Sequence, residues 1–503
     1  MFQSTALSLR DLLGSEYIEA AVAGASFLTG QPAETFLAAA DEKVALYPEA
    51  HRQRLDELSA YVGKNVAPGL EASPDGAATD SFRKVFDRAA SPVSCFGPYR
   101  VGESGKLYFT GKSEHYHTPL GHAFPGFKLV ENAKKLLIGN ATHNNTRGYV
   151  TRLMERELVR CANGGALPQP DASGVLNRVL SLETGSLAVE AGIKMMLARF
   201  FRYEAADSAP VHSGKTPVFL VMGDGGANYH GTTVLAQTLR GLWPEIPEKA
   251  GDLYRVAYVT PNDPGDFAEK IRRNNQGSLK TAGFLHEIVM MNHGGLRLTD
   301  GYLQGCYALC REYGTPTLCD EIQSCLWTEE LLLFKRVGIR PDCVAVGKGF
   351  PAGEYPASRL ILTKEMDSLA QFGALVTNGQ EELASLVYLI SMAFCRLNGE
   401  HIRTVGEAYH RGLEALVEGY PALLTAAEGE GFLSSLTFKT MESAVLFAKG
   451  MSASCVDVSA QTYKKSTPPA VLTKLPVITT EVMADMVLSK MEGVLRSIGG
   501  DNG

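Results

Sequence analysis

From about Leu176 the chain alternates short apolar runs with stretches of helical period, and this alternation restricts the fold more than any other feature of the sequence. The runs are "TPVFLVMGD", "LYRVAYVT", "GFLHEIVMM", "TPTLCDEI", "DCVAVGKG" and "ASRLILT". Buried runs of this length, separated by helices, are what a parallel sheet covered on both faces requires, so the pattern predicts βαβ units and an α/β domain. In an open sheet of this kind, ligands bind beyond the carboxyl ends of the strands. Asp320 follows "TPTLC" and Lys348 follows "CVAVG". Both are therefore expected at that edge, one βαβ unit apart, with a crossover helix over roughly Glu329 to Val337.

The flanks read differently. Residues 1 to about 90 carry apolar side chains at three- and four-residue steps, as in "SLRDLLGSEYIEAAVAG" and "AHRQRLDELSAYVGKNV", and predict amphipathic helices. The stretch "APGLEASPDGAATDS" from Ala67 reads as a linker or surface loop. Beyond Glu381, "LASLVYLISMAFCRL" predicts a long apolar helix, and the chain ends in a second amphipathic one, "ITTEVMADMVLSKMEGVLRSI".

Composition narrows the function classes. The chain has 503 residues, 45% hydrophobic and 20% charged, enough for a sizeable core and more than one domain. A net charge of -7 with no basic block argues against a nucleic-acid partner. Nine cysteines lie scattered without a CxxC pair; Cys306 and Cys310 stand one helical turn apart, with no second pair at zinc spacing. Such a set reads as reduced thiols in a cytoplasmic protein. Arg10, Asp11, Glu16 and Glu19 interrupt any apolar leader, and no run approaches the ~18 apolar residues of a membrane span. His115, His117 and His122 in "HYHTPLGH" lack a carboxylate or cysteine at completing spacing, so no metal site is expected. "MGDGGANYHG" is neither a dinucleotide fingerprint nor a P-loop; its glycines read as bringing backbone close to a ligand.

A lysine at a strand end beside a buried carboxylate suits pyridoxal phosphate. The amine forms a Schiff base with the cofactor aldehyde, and the carboxylate keeps the pyridine nitrogen protonated, which makes the ring a better electron sink. A single lysine after a strand is most often a surface residue, however, so the pair needs support from elsewhere in the chain.

That support comes from a series of landmarks. "LCDEIQS" is similar to the Asp-Glu-Val-Gln-Thr segment of class III (subgroup II) pyridoxal-phosphate aminotransferases of fold type I, and "VAVGKGFPAGEYPAS" resembles their lysine segment. "LGHAFPGF" (Leu120 to Phe127), "TGSLAVEAGIK" (Thr184 to Lys194), "NYHGTT" (Asn228 to Thr233), "HEIVMMNHGG" (His286 to Gly295) and "TNGQEELA" (Thr377 to Ala384) resemble further family elements, in family order. The resemblance implies a fold type I enzyme: a large domain with a mostly parallel central sheet flanked by helices, and a smaller α+β C-terminal domain. The expected division is an N-terminal helical extension over 1–95, a segment over 96–175 that contributes to the small domain and leads into the large one, a cofactor-binding domain over 176–380, and the small domain over 381–503.

The resemblance also implies roles. Gly185 and Ser186, at a helix N-terminus, would cradle the cofactor phosphate, an arrangement that helix termini favour on their own. Tyr229 would stack on the pyridine face, with His230 completing its turn. Glu287 would lie on the substrate side, Asp320 would pair with the ring nitrogen, and Gln323 would bond near the phenolic oxygen. Lys348 would carry the Schiff base and shuttle the proton at Cα. Thr377 would bind the phosphate in the neighbouring subunit of a homodimer with shared sites. The implied reaction is transfer of an amino group between an amine or amino acid and a keto acid. The same landmarks fit a racemase, an aminomutase or a decarboxylase, and a retired enzyme of this fold is a third alternative.

Several positions depart from the family pattern. Leu187 and Val189 stand where Glu and Asn are usual, Thr232 replaces an arginine, and Ile288 and Asn292 depart from Glu-Pro-x-x-Gly-x-Gly-Gly. In "PPAVLTKLPVITTEV", Leu472 falls where many members carry the arginine for a substrate carboxylate, with Lys474 two residues on. Lysine does not replace a bidentate guanidinium neutrally. These departures suggest a divergent branch with an unusual amino donor.

Overall fold

The computed structural model describes residues 2–202, 209–224, 227–228, 253–370, 373–374, 381–462 and 467–500. Its main sheet is built from β1 (Leu176–Leu182), β2 (Thr216–Asp224), β3 (Arg255–Val259), β4 (Leu279–His286), β5 (Thr317–Asp320), β6 (Cys343–Val346) and β7 (Ser358–Thr363). They lie side by side in the order β1-β7-β6-β5-β4-β2-β3. From β6 to β3 every neighbour is parallel, whereas β7 runs antiparallel to both β6 and β1. The run "ASRLILT" is thus reversed relative to the other predicted strands. The link from Gly347 to Ala357 leaves too little chain for a helical crossover, which takes a dozen or more residues, so β7 returns beside β6 in the opposite sense.

Helices cover the sheet: α1 (Tyr149–Ala162), α2 (Gly185–Leu197), α3 (Pro264–Arg273), α4 (Asp300–Glu312), α5 (Leu333–Val337) and α6 (Glu382–Leu397). Side-chain caps start three of them, with Thr184, Asp263 and Thr299 accepting from Leu187, Asp266 and Tyr302 N–H groups. α1 has only Gly148 at its cap position, and the buried Glu382 serves instead, accepting the Val150 N–H at 2.8 Å and the Thr151 hydroxyl at 2.5 Å. β5, β6 and β7 are buried along their whole length, which is why they read as continuous apolar runs. One hydrophobic core joins Ala188, Val189, Ile193 and Met196 of α2 to Leu285, Leu318, Ala345 and Leu360 of the strands. Truncating a side chain as buried as Leu318 to alanine costs about 2–5 kcal/mol.

Contacts divide the chain into two units. The larger comprises Ser8–Glu42 and Leu129–Gly399, and so holds the main sheet. The other comprises Met1–Leu7, Lys43–Lys128 and Glu400–Gly503. It contains a four-stranded antiparallel sheet in the order Leu424–Glu430, Leu433–Phe438, Ala470–Thr473, Ser459–Ala460, and a three-stranded one from Pro92–Phe96, Tyr99–Gly102 and Leu107–Phe109. Within residues 1–95, the helices Leu9–Leu13, Ser15–Thr29 and Ala33–Asp41 belong to the larger unit and Glu49–Leu58 to the other. No described helix is long and apolar enough to cross a membrane.

Candidate active site

Strand register brings four chain segments to one edge of the main sheet. His286 of β4 pairs with Cys319 of β5, Asp320 with Ala345 of β6, Val346 with Arg359 of β7, and Ser358 with Leu182 of β1. Glu287, Asp320, the Gly347–Lys348 turn and the start of α2 therefore leave the sheet at the same end. Strand ends alone place Asp320 and Lys348 together, and the register adds Glu287 and Gly185.

The lysine sits on a tightly held turn. Lys348 has φ +33°, in the left-handed region where a side chain costs of order 1 kcal/mol or more. Glycines on both sides allow the approach. A Cβ on Gly347 would lie 2.2 Å from Ser358 Oγ and 3.1 Å from Ile322 Cδ1, and one on Gly349 would lie 2.6 Å from the Cys325 carbonyl oxygen. The Cys325 thiol donates to the Gly347 oxygen at 3.2 Å. The expected crossover helix from Glu329 is shorter than predicted, since only Leu333–Val337 is helical. Leu326 and Leu331 take left-handed backbone (φ +72° and +64°) and close a loop through the Leu326 N–H to Leu331 carbonyl bond, which no α-helix can include.

Around this turn Asp320 and Glu287 are buried, Lys348 is half-buried, and their charges are mutually dependent. Burial pushes the Lys348 amine below the usual lysine range, against the opposing pull of Glu287, Asp320 and Cys325. Burial likewise pushes the Asp320 carboxyl up, while the Ile322 N–H, 3.0 Å from Oδ1, and the Lys348 charge work to keep it ionised. Gln323 Nε2 donates to Glu287 Oε2 at 3.4 Å. His286, bonded through Nε2 to the Tyr307 hydroxyl at 2.8 Å and stacked on Phe284, is driven by burial down to about 4 and is neutral at physiological pH. It packs the strand end and carries no charge into the site.

These residues fit pyridoxal phosphate in the character of their donors. Asp320 is a buried carboxylate whose surroundings reward a nearby cation, which a protonated pyridine nitrogen provides. α2 begins with Thr184 as its cap, and its first-turn N–H groups together with the helix dipole suit a phosphate. Gly185 brings that terminus against the strand end: a Cβ there would meet Ile322 Cδ1 at 2.8 Å. Ile322 thus touches both glycine positions, at the start of α2 and next to the lysine.

Tyr229, His230 and Thr377 fall outside the described residues. Leu472 is buried in the smaller unit's antiparallel sheet, paired with Ser435 and Ser459. The buried Lys474 holds its amine 5.0 Å from the Tyr116 ring centroid. His122 Nε2 lies 3.3 Å from Glu114 Oε1, and among the described residues no group of three or more His, Cys, Asp or Glu is placed to hold a metal ion. Periodicity and motif carry no sign of the parts played by Cys325 and Ser358. Ile322 has only a faint signal, as an apolar residue between two polar ones immediately after a strand.

Comparison with known proteins identifies the family and the fold. The chain is 27% identical over 401 residues to the ornithine aminotransferase of Emericella nidulans, covering 75% of this chain and 79% of that one. A PMP-bound aminotransferase from Vibrio fluvialis superposes with a TM-score of 0.67 at 18% identity, over 86% of this chain and 97% of that chain. The ornithine aminotransferase of Plasmodium yoelii gives 0.63 at 16% identity, over 82% and 95%. Residues 95–453 match the family described as aminotransferase class-III. The match spans well over half of the sequence, and the chain belongs to the class-III aminotransferases.

Proposed function

We propose that Lys348, Asp320 and the start of α2 form the pyridoxal-phosphate site at which this class-III aminotransferase moves an amino group between an amine or amino acid and a keto acid. The observation that carries the assignment is the meeting, at one sheet edge, of a half-buried lysine, a buried carboxylate and a glycine-opened helix N-terminus. When bound, the cofactor supplies an aldehyde for the amino group and a ring that draws electron density from a substrate Cα bond. The protein's own residues do the rest. The first turn of α2, through Gly185 and Ser186, binds the phosphate and fixes the register. Asp320 holds the ring nitrogen in its cationic form. Gln323 and Glu287, joined by their hydrogen bond, orient groups on the substrate side. Lys348 Nζ, with its pKa lowered by burial, takes a proton from the substrate Cα and returns it, as general acid–base work near neutral pH requires.

The test is an absorbance titration. Protein loaded with the cofactor should show a visible band that bleaches when an amino donor is added without keto acid, and recovers when a keto acid follows. Ornithine, the donor named for several relatives, is the first to try, followed by a mixed pool of amines. Lys348→Ala should lose the band and all measurable turnover. A band that persists while substrate is racemised, rearranged or decarboxylated would reject amino transfer, and an unchanged Lys348→Ala protein would reject the site.

Two further properties belong to this reading. We infer a homodimer with shared sites, in keeping with the family resemblance and with Thr377 acting across the interface. Light scattering gives the mass. Mixing inactive Lys348→Ala and Thr377→Ala chains should restore part of the activity only if the sites are shared. We also infer a reducing compartment, the cytoplasm, since all nine cysteines are thiols and most are buried. Fractionation of cells expressing the tagged chain checks this.

A further inference from the structure

We propose that Cys325 is a positioning residue for Lys348: its thiol, bonded to the carbonyl that precedes the lysine, holds the left-handed turn that keeps the amine beside Asp320 and Glu287. The inference rests on the assignment of Lys348 above and goes beyond it, because it concerns how the lysine is held.

The geometry is a clamp on three consecutive residues. Cys325 is wholly buried, and its Sγ donates to the Gly347 oxygen at 3.2 Å. Its own carbonyl occupies the space where a Cβ on Gly349 would be, 2.6 Å away, with the Trp327 ring at 3.0 Å from the same point. On the opposite side, Ser358 and Ile322 close on Gly347. Lys348 stands between two pinned glycines with φ +33°. A hydrogen bond is comparable in strength to the cost of a left-handed non-glycine residue, so one bond to this turn decides how well its shape is kept.

Cys325 is itself fixed to the strand that bears the carboxylate, because its N–H donates to the Glu321 carbonyl at 2.9 Å. The end of β5 and the short loop after it therefore carry Asp320, Gln323 and the clamp together, and tie the lysine's position to that of its partners. Among the described residues, the ionisable groups that act on the amine are Glu287, Asp320 and Cys325. Substitutions at Cys325 leave both carboxylates in place. A serine at this position keeps a donor for the Gly347 oxygen, whereas alanine removes it.

The experiment compares Cys325→Ala, Cys325→Ser and Lys348→Ala in the full chain. In protein stripped of cofactor, the pH dependence of Lys348 modification by an amine-selective reagent is read by peptide mass. Cys325→Ala should move the midpoint upward by about one pH unit, a tenfold change in the protonation equilibrium, because relief of burial, the largest influence on the amine, outweighs the lost upward pull of the thiol. In loaded enzyme it should lower kcat about tenfold and leave KM nearly unchanged, since a displaced reacting group is costly in the transition state. Cys325→Ser should restore most of both values. An alanine variant that titrates and turns over as the parent does would overturn the proposal, and so would alanine and serine variants that lose equally. Should the alanine chain not fold, the difference Raman spectrum between the parent and Cys325→Ser decides: a lowered S–H stretch supports the bond and a free-thiol frequency refutes it. A misassigned lysine looks different, because Lys348→Ala would then keep the visible band whatever stands at 325.

Discussion

Asp320 and Glu321 are chain neighbours, both buried, and the fold treats them in opposite ways. Glu321 turns to its own backbone and accepts the Leu333 N–H at 2.9 Å, the Phe334 N–H at 2.6 Å and the Ser324 hydroxyl at 2.9 Å. It caps α5, which has no cap residue of its own, and pins the loop that returns the chain to the sheet. Asp320 turns to the edge shared with Lys348, and takes the Ile322 N–H. One carboxylate is committed to holding the fold, and the other is set where a cation gains from it. The difference teaches that burial alone does not mark a functional acid; what marks it is which donors the chain itself supplies.

The sharpest way to break this comparison is to neutralise each acid in turn. Asp320→Asn should lower kcat by roughly 10²–10³-fold, the loss typical of removing one preorganised electrostatic partner, with little change in unfolding midpoint. Glu321→Ala should do the reverse: it orphans two buried N–H groups and a hydroxyl, and should destabilise by about 3 kcal/mol in urea titration while leaving kcat of the folded enzyme close to the parent's. Equal losses of activity and stability in both variants would show that the two acids form one functional unit, and the contrast would fail.

pH sharpens the contrast further. Burial raises Glu321 to about 7 in the folded chain from an ordinary 4.5, so the folded state holds its proton longer than the unfolded one. Stability from this group is present below pH 4.5 and is lost as pH rises through 7. His286 has the opposite sign: lowered to about 4 from 6.5, it contributes stability above 6.5 that is lost as pH falls through 4. Between 4.5 and 6.5 the two slopes oppose each other. Glu321→Gln should therefore leave a stability that rises with pH more steeply than the parent's, and His286→Asn one that falls. Each slope should change by about 1.4 kcal/mol per pH unit, measured by urea unfolding across the range. Parallel curves for the parent and both variants would mean that each group titrates alike in the folded and the unfolded chain.

Much of this site is legible in the sequence, for identifiable reasons. Asp320 and Lys348 end apolar runs, so strand periodicity alone assigns them to one edge. Gly185 and Ser186 follow a strand and open a helix, while Glu287 and Gln323 are found by motif resemblance. What stays hidden depends on backbone turns that no local period encodes. The left-handed Leu326 and Leu331 shorten the crossover helix and fold the loop so that Cys325 reaches the Gly347 carbonyl. The reversed β7 brings Ser358 to the same turn. The sharing of the first 95 residues between two units is likewise a matter of long-range packing, since their helical periods show an apolar face but not which surface it covers.

The smallest expected effect is a coupling at Ile322, which sits where the lysine turn and the start of α2 come closest. A Cβ on Gly185 would meet Ile322 Cδ1 at 2.8 Å and both Cγ atoms at 2.9 Å, so no single rotation of that side chain clears it. Gly185→Ala should therefore push the start of α2 away from the edge and weaken cofactor affinity about tenfold, an overpacking cost of about 1.4 kcal/mol. Ile322→Ala alone opens a cavity and lowers stability by roughly 2–4 kcal/mol. Combined, the two should be less harmful than their sum, with a coupling of about 1 kcal/mol in affinity, because the space vacated at 322 accepts the added methyl. Strict additivity in cofactor titration would mean that the helix start tolerates a side chain in some other way. The glycine would then serve the phosphate directly, through backbone that a Cβ would shield, rather than the fit between helix and strand.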